Sequence, residues 1–311
     1  MIRRIRKISM AKMERRGVAS TVGTMFAIII ILTIFSTITT FWVPAWMKDR
    51  EADHNQEVLE QFARLKATVE LQILQSNIDI VMHTPVSLGI PGVPMLASTS
   101  KGTLSISTTS SYFNVKNGTC DWSSGDMTGT VIVSASGGSV EYASNNIEYV
   151  DQTLSYENGA IVLDQPPYGQ VVLFGPQFSV DNSTGNVTVM VVVNSLLGES
   201  KSTSGSSTRS VCTKLLYVSG EGKNVKKFTP TQFVELNFST AYPEAWVEYF
   251  NKSLSKEFSP SVYTDVKVGD VRTLTGGSNY KIISDLSSVR VIISGVAQVS
   301  IVDVILEVTL E

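Results

Sequence analysis

The chain has 311 residues, enough for one large β domain with appendages or for two domains, and only 17% are charged, which excludes an acid-rich halophile surface. Of its 25 basic and 28 acidic side chains, seven bases (Arg3, Arg4, Arg6, Lys7, Lys12, Arg15, Arg16) and one acid, Glu14, lie in residues 1–17, leaving 18 bases against 27 acids, a net of −9, beyond. Basic charge confined to a short leader gives no charged folded face for nucleic acid, so no such partner is expected, and the acidic body is kept soluble by its own charge.

After this leader, residues 1–17, come 26 residues from Val18 to Val43 without a charge. As a helix they span about 39 Å, more than the ~30 Å of bilayer hydrocarbon requires. Trp42 and Trp46 close the run with rings suited to the membrane interface, and Asp49, Glu51, Asp53 and Glu57 follow. The reading is a transmembrane helix over 18–47, with a membrane as partner, the N-terminus cytoplasmic and the C-terminal domain extracellular. A secretory signal has a shorter apolar region, of about 7–15 residues, ending in small side chains. Here the run ends in Phe41-Trp42-Val43-Pro44-Ala45-Trp46. Thr33, Ser36, Thr37 and Thr40 share one helical face and could serve helix association.

A juxtamembrane helix is expected over 48–83, because Val58, Phe62, Leu65, Val69 and Ile73 recur at helical spacing. Pro44 lacks an N–H and predicts a kink or short break before it. The stripe fits either the protein's own β domain or neighbouring copies. Residues 84–102, which include Thr84 to Pro94 (TPVSLGIPGVP), read as an extended connector.

Over 103–311 the period becomes two. Alternating runs occur at Leu104–Ser107, Thr130–Ser134, Ser139–Ala143, Gln170–Phe174 and Val187–Val193, and most clearly at Val302, Val304, Leu306, Val308 and Leu310. Turn signals such as Glu157-Asn158-Gly159 and Asp181-Asn182-Ser183-Thr184-Gly185 separate them. The fold class is therefore α+β: a long N-terminal helix, then a mainly antiparallel, sandwich-like β domain outside the cell. One helix interrupts the strands, capped by Ser239 or Thr240, with Pro243 in its first turn and an aromatic face of Tyr242, Trp246, Tyr249 and Phe250. That face suits core packing, with carbohydrate stacking as the alternative. Gly198 to Ser210 (GESKSTSGSSTRS) reads as a mobile polar loop.

Cys120 and Cys212 are the two cysteines, and an extracellular pair is a disulfide candidate. Asn117, Asn182, Asn186, Asn237 and Asn251 each open an Asn-x-Ser/Thr triplet, the glycosylation signal. The histidines, His54 and His83, fall near the two ends of the expected juxtamembrane helix, so the β domain holds no Ser-His-Asp triad of its own. No His/Cys cluster has zinc spacing and no glycine-rich phosphate loop occurs, so no catalytic residue, metal or cofactor is assigned. Carboxylate pairs and calcium-binding loops stay open.

Arg15 to Thr24 read RRGVASTVGT, with the apolar run directly after. This resembles the class III signal of archaeal type IV pilins and archaellins, in which a basic leader ending in Lys/Arg-Gly is cut by a prepilin peptidase on the cytoplasmic side. The resemblance implies Arg15, Arg16 and Gly17 as the recognition element, Gly17–Val18 as the cut bond, and Gly23-Thr24 as the Gly-Thr pair common near the mature start. Val22 stands where bacterial pilins usually carry Glu. It further implies a structural, non-enzymatic subunit of a pilus-like filament, minor or adhesive given its bulk. Its partners would be prepilin peptidase and other pilin subunits, met through the N-terminal helix. A permanently anchored surface binding or envelope protein and an anchored hydrolase are the alternatives.

Overall fold

The structure, a computed structural model, describes residues 21–76, 78–91, 98–108, 112–183, 185–219, 225–227 and 233–311. Among these the chain forms a long helix, α1 (Thr21–Gln75), a second helix, α2 (Pro243–Phe258), and nineteen strands numbered β1–β19 along the chain. The first sheet has the order β1 (Val81–Ser87), β12 (Thr208–Val218), β19 (Val296–Leu310), β10 (Val187–Leu197) and β9 (Phe178–Asp181), with β13 (Val225–Lys227) also paired to β19. The second runs β11 (Lys201–Gly205), β2 (Lys101–Ser107), β5 (Ser139–Asn145), β6 (Thr153–Glu157), β7 (Ala160–Gln165) and β8 (Gly169–Phe174). The third runs β15 (Tyr263–Val268), β16 (Val271–Gly276), β17 (Tyr280–Ser284), β18 (Ser288–Ile293), β14 (Phe233–Ser239), β3 (Tyr112–Asp121) and β4 (Asp126–Ser136).

The pairing is antiparallel apart from β10 with β19, which run parallel at the heart of the first sheet. Strands covered on both faces carry near-continuous apolar runs, and β10 is covered on both faces from Val191 to Leu196, although Met190 before it is exposed. Its Val189, Val191 and Val193, with Val299 and Ile301 of β19, face a core shared with the third sheet and α2. Val192 and Leu196, with Val304, Leu306, Val308 and Leu310, face a second core closed by α1 and the second sheet. The first sheet is thus the partition between two cores, and the described residues form three sheets rather than the two of a simple sandwich.

Local chemistry sets the corners. Asn158 and Gly159 join β6 to β7 with φ of 49° and 76°. Two left-handed residues in a two-residue hairpin make a type I′ turn, whose twist matches the strands. In the turn after β9, the Asp181 carboxylate accepts the Ser183 N–H at 2.8 Å.

Three expectations are corrected. The juxtamembrane helix ends at Gln75, not at residue 83: Ser76 is left-handed (φ 49°), which stops the helix, and Val81–Ser87 pairs with β12 as an edge strand. The expected connector therefore begins with strand. The Ser-rich stretch is not a loop, since Lys201–Gly205 pairs with β2 and carries the chain from the first sheet to the second and back. Of the kink or short break expected before Pro44, the break is not found: α1 continues through a π-helical turn, Ile38–Trp42.

The stripe on α1 packs against the protein's own domain. Val58, Phe62, Leu65, Val69 and Ile73 are buried in the second core. On α2, Pro243 takes the first helical position, and Trp246 and Phe250 are buried in the other core, stacked on each other and packed against Phe238. Those rings are core and not a carbohydrate platform.

Candidate membrane and assembly helix

The two halves of α1 have opposite environments. From Thr21 to Trp42 it is apolar on every side and uncovered: Phe26, Ile31 and Trp42 are 61%, 64% and 72% exposed. These 22 residues rise about 33 Å, the thickness of a hydrocarbon core. A helix apolar all round is stable only inside lipid or among other apolar helices. The hydroxyls of Thr33 and Thr37 donate to their own helix, at Ile29 O and Thr33 O, both at 2.8 Å. Their protons are thereby committed, so at these two positions the helix offers a neighbour small size rather than donors.

Pro44 follows closely on the π turn between the halves, and its chemistry favours one there. It has no N–H for the Thr40 carbonyl, and the Val43 N–H passes over Thr39 to bond Ile38 O. Beyond it burial begins at Val43 and Met47, while Trp46 stays half exposed under the Arg50 guanidinium, 5.3 Å from its ring centre.

Four polar side chains lock the lower half onto the domain. Glu51, 1% exposed, accepts the backbone N–H groups of Ile147, Glu148 and Tyr149, each at 2.8 Å, and the Ser100 hydroxyl. Burial raises its pKa, but these four donors outweigh burial and the net displacement is downward, so the carboxylate is the native form. Gln61 accepts the Ser87 N–H at 2.8 Å and Lys66 donates to Gly159 O at 2.8 Å. Gln72 donates to Ile80 O and Thr213 O, both at 3.0 Å, while accepting from the Thr213 hydroxyl at 3.1 Å. One helix thus grips the first sheet through Gln61 and Gln72, the second through Lys66, and the loop after β5 through Glu51. His54, one turn from Glu51, is buried, and burial lowers its pKa although Glu57 and Glu51 oppose this.

The predicted site residues fare unevenly. Arg15, Arg16, Gly17 and Val18 lie outside the described residues. Cys120 and Cys212 are separate thiols and not a disulfide: the first lies on β3 of the third sheet, the second on β12 of the first. Of the sequons, Asn186 is exposed in the turn before β10 and Asn182 is half buried beside it. Asn117 and Asn237 lie within strands, and the Asn117 amide oxygen accepts from Thr130 at 2.9 Å. The Asn251 amide is engaged at both ends, by the hydroxyls of Tyr263 and Tyr280 at 3.0 Å each, which leaves it a poor acceptor for a glycan. Sequence reasoning missed Glu51, Gln61, Lys66 and Gln72. The signal was a polar residue next to a buried helical stripe, which a binary pattern reads as solvent-facing.

Comparison of the chain with protein-family models, with curated proteins and with solved structures gives no match.

Proposed function

We propose that this chain is a non-enzymatic subunit of a type IV pilus-like surface filament of the archaeal kind, synthesised as a single-pass membrane precursor. Its leader would stay in the cytoplasm and its β domain would face outward. The observation that carries the reading is the division of α1. The lower half is welded to the domain by a buried stripe and four polar clasps, while the upper half projects some 33 Å of bare apolar helix. That shape serves twice: one end can sit in lipid before assembly and pack with its copies afterwards, carrying the domain rigidly with it. The RRGVASTVGT leader supports the same reading, since a cut at Gly17–Val18 removes the basic cluster and leaves the apolar helix whole.

The test is mass spectrometry of the mature N-terminus in cells that make the protein. Processing by a prepilin peptidase yields a chain beginning at Val18, and Gly17→Val blocks both the cut and surface assembly. An intact leader on surface-exposed protein, unchanged by Gly17→Val, overturns the proposal and leaves a permanent anchor as the role of the helix.

A further inference from the structure

His83, Cys212 and Glu311 come together on the face of the first sheet that points away from α1. His83 on β1 and Cys212 on β12 are direct cross-strand partners, and Cys212 pairs in turn with Thr309 of β19. Two residues beyond Thr309 on the same face stands Glu311, whose main chain exchanges both hydrogen bonds with Ser210 at 3.0 Å. The row alternates with buried neighbours, Thr84, Val211, Val308 and Leu310, which face the second core.

The three donor atoms converge. Cys212 Sγ lies 3.1 Å from His83 Nδ1, that nitrogen lies 3.8 Å from Glu311 Oε2, and all three donors fall within 4.8 Å of one another. A catalytic relay would need the thiol and the carboxylate on opposite ring nitrogens, so that the base is oriented from behind. Here both approach the same nitrogen, the arrangement expected around a shared central atom. Zinc–ligand bonds of about 2.0–2.3 Å at tetrahedral angles separate donors by roughly 3.4–3.6 Å. The distances found bracket that range, so side-chain adjustment alone admits the ion. Cys212 is 3% exposed while His83 and Glu311 reach solvent, which gives a sheltered sulfur and an open outer side.

We propose that His83, Cys212 and Glu311 form a three-ligand site for a zinc-class divalent transition metal, with water completing a tetrahedron. A thiolate, an imidazole and a carboxylate suit a borderline-soft ion, whereas calcium and magnesium prefer all-oxygen shells. The ion would tie the edge strand that follows α1 to both β12 and the end of β19, fastening three segments whose outermost ligands, His83 and Glu311, are more than 200 positions apart in sequence. The spacing rules for zinc missed it because the ligands come from β1, β12 and the residue after β19, and His83 was read as helical. This inference does not depend on the filament reading.

The test uses the full chain in detergent, reduced, stripped with a chelator and titrated with Co²⁺. The expected result is one Co²⁺ per chain with tetrahedral visible absorption and a thiolate-to-cobalt charge-transfer band, displaced stoichiometrically by Zn²⁺. Cys212→Ser abolishes the band and Cys120→Ser keeps it. His83→Gln and Glu311→Gln, both at exposed positions, each weaken Co²⁺ binding about tenfold or more, which reads the site even where Cys212→Ser does not fold. Absence of a charge-transfer band in the wild type, its persistence in Cys212→Ser, or unchanged affinity in both exposed variants overturns the site and leaves a surface His–Glu pair beside a thiol.

Discussion

The two halves of α1 share a helix and differ in what stabilises them. The lower half gains from burial: Val58, Phe62 and Leu65 are fully enclosed, and each such side chain contributes roughly 1.5–3 kcal/mol relative to exposure. The upper half buries nothing, and all its stabilisation must come from an apolar surrounding. The difference teaches that the domain can be complete while the projecting half is still uncovered. Phe62→Ala and Phe26→Ala break this comparison most directly. The first should cost about 3–5 kcal/mol, as large core truncations do. The second should leave domain unfolding unchanged to within about 0.5 kcal/mol. Denaturant unfolding in detergent, followed by near-ultraviolet circular dichroism, measures both; equal losses would show that the halves are not independent.

The next largest effect is at Glu51, the clasp nearest the boundary. Removing the carboxylate takes the acceptor from three backbone N–H groups and the Ser100 hydroxyl at once, so Glu51→Ala should cost about 2–3 kcal/mol at neutral pH. Because the folded carboxyl titrates below its ordinary 4.5, its stabilisation is full above that value and fades as pH falls through the lowered one. The gap between wild type and Glu51→Ala should therefore close in acid. A constant gap from pH 7 to pH 3 would mean that Glu51 acts by packing and not by charge.

Glu157 is the opposite case, a buried carboxyl with no ion-pair partner among the described residues. It accepts from the Trp246 indole N–H and the Thr240 hydroxyl, each at 2.5 Å, yet burial outweighs these bonds and pushes its pKa up to about 7. The folded state holds a proton there that the unfolded chain releases near 4.5. Its contribution is thus full below that value and is lost as pH rises toward about 7. Glu157→Gln keeps an oxygen acceptor without the charge, and should gain on the order of 1–3 kcal/mol at pH 8 and nothing at pH 4. Thermal unfolding across that interval decides it; the same difference at both ends would remove the titration from the account. Of the two buried glutamates, Glu51 would set the acid limit of stability and Glu157 would erode it toward alkaline pH.

How much of this was legible follows from which forces leave a periodic trace. The α1 stripe and the alternation of Val304, Leu306, Val308 and Leu310 could be read because burial on one face repeats with the element. The Asn158-Gly159 turn could be read because few residues adopt left-handed backbone. The strand Lys201–Gly205 could not, since it is an edge strand with mostly exposed side chains, held by main-chain pairing that any polar residue permits. The end of α1 was hidden because the stop is the backbone angle of one serine, Ser76, with no glycine to mark it. The separation of Cys120 from Cys212 was hidden because strand order across sheets leaves no local trace. His83 suffered the same fate: once Val81–Ser87 is a strand, it meets Cys212 and Glu311, and no reading of spacing brings those three together.

The smallest expected effect lies at the boundary itself. A π turn inserts one residue relative to an α-helix, which rotates everything above it by about 100° about the axis. If Pro44 causes that turn by withholding an N–H, Pro44→Ala should let the Thr40 carbonyl regain a partner and return Ile38–Trp42 to α-helix. Domain stability should move by less than about 0.5 kcal/mol, because the buried residues below Pro44 keep their places. Amide exchange in Ile38–Trp42 should slow as the ladder is restored. Unchanged exchange there would show that the turn belongs to the Thr39-Thr40 backbone and not to the proline. Restored exchange protection with impaired assembly would show something sharper, that the domain must meet the projecting half at one angle. The two halves would then be independent in stability but coupled in direction.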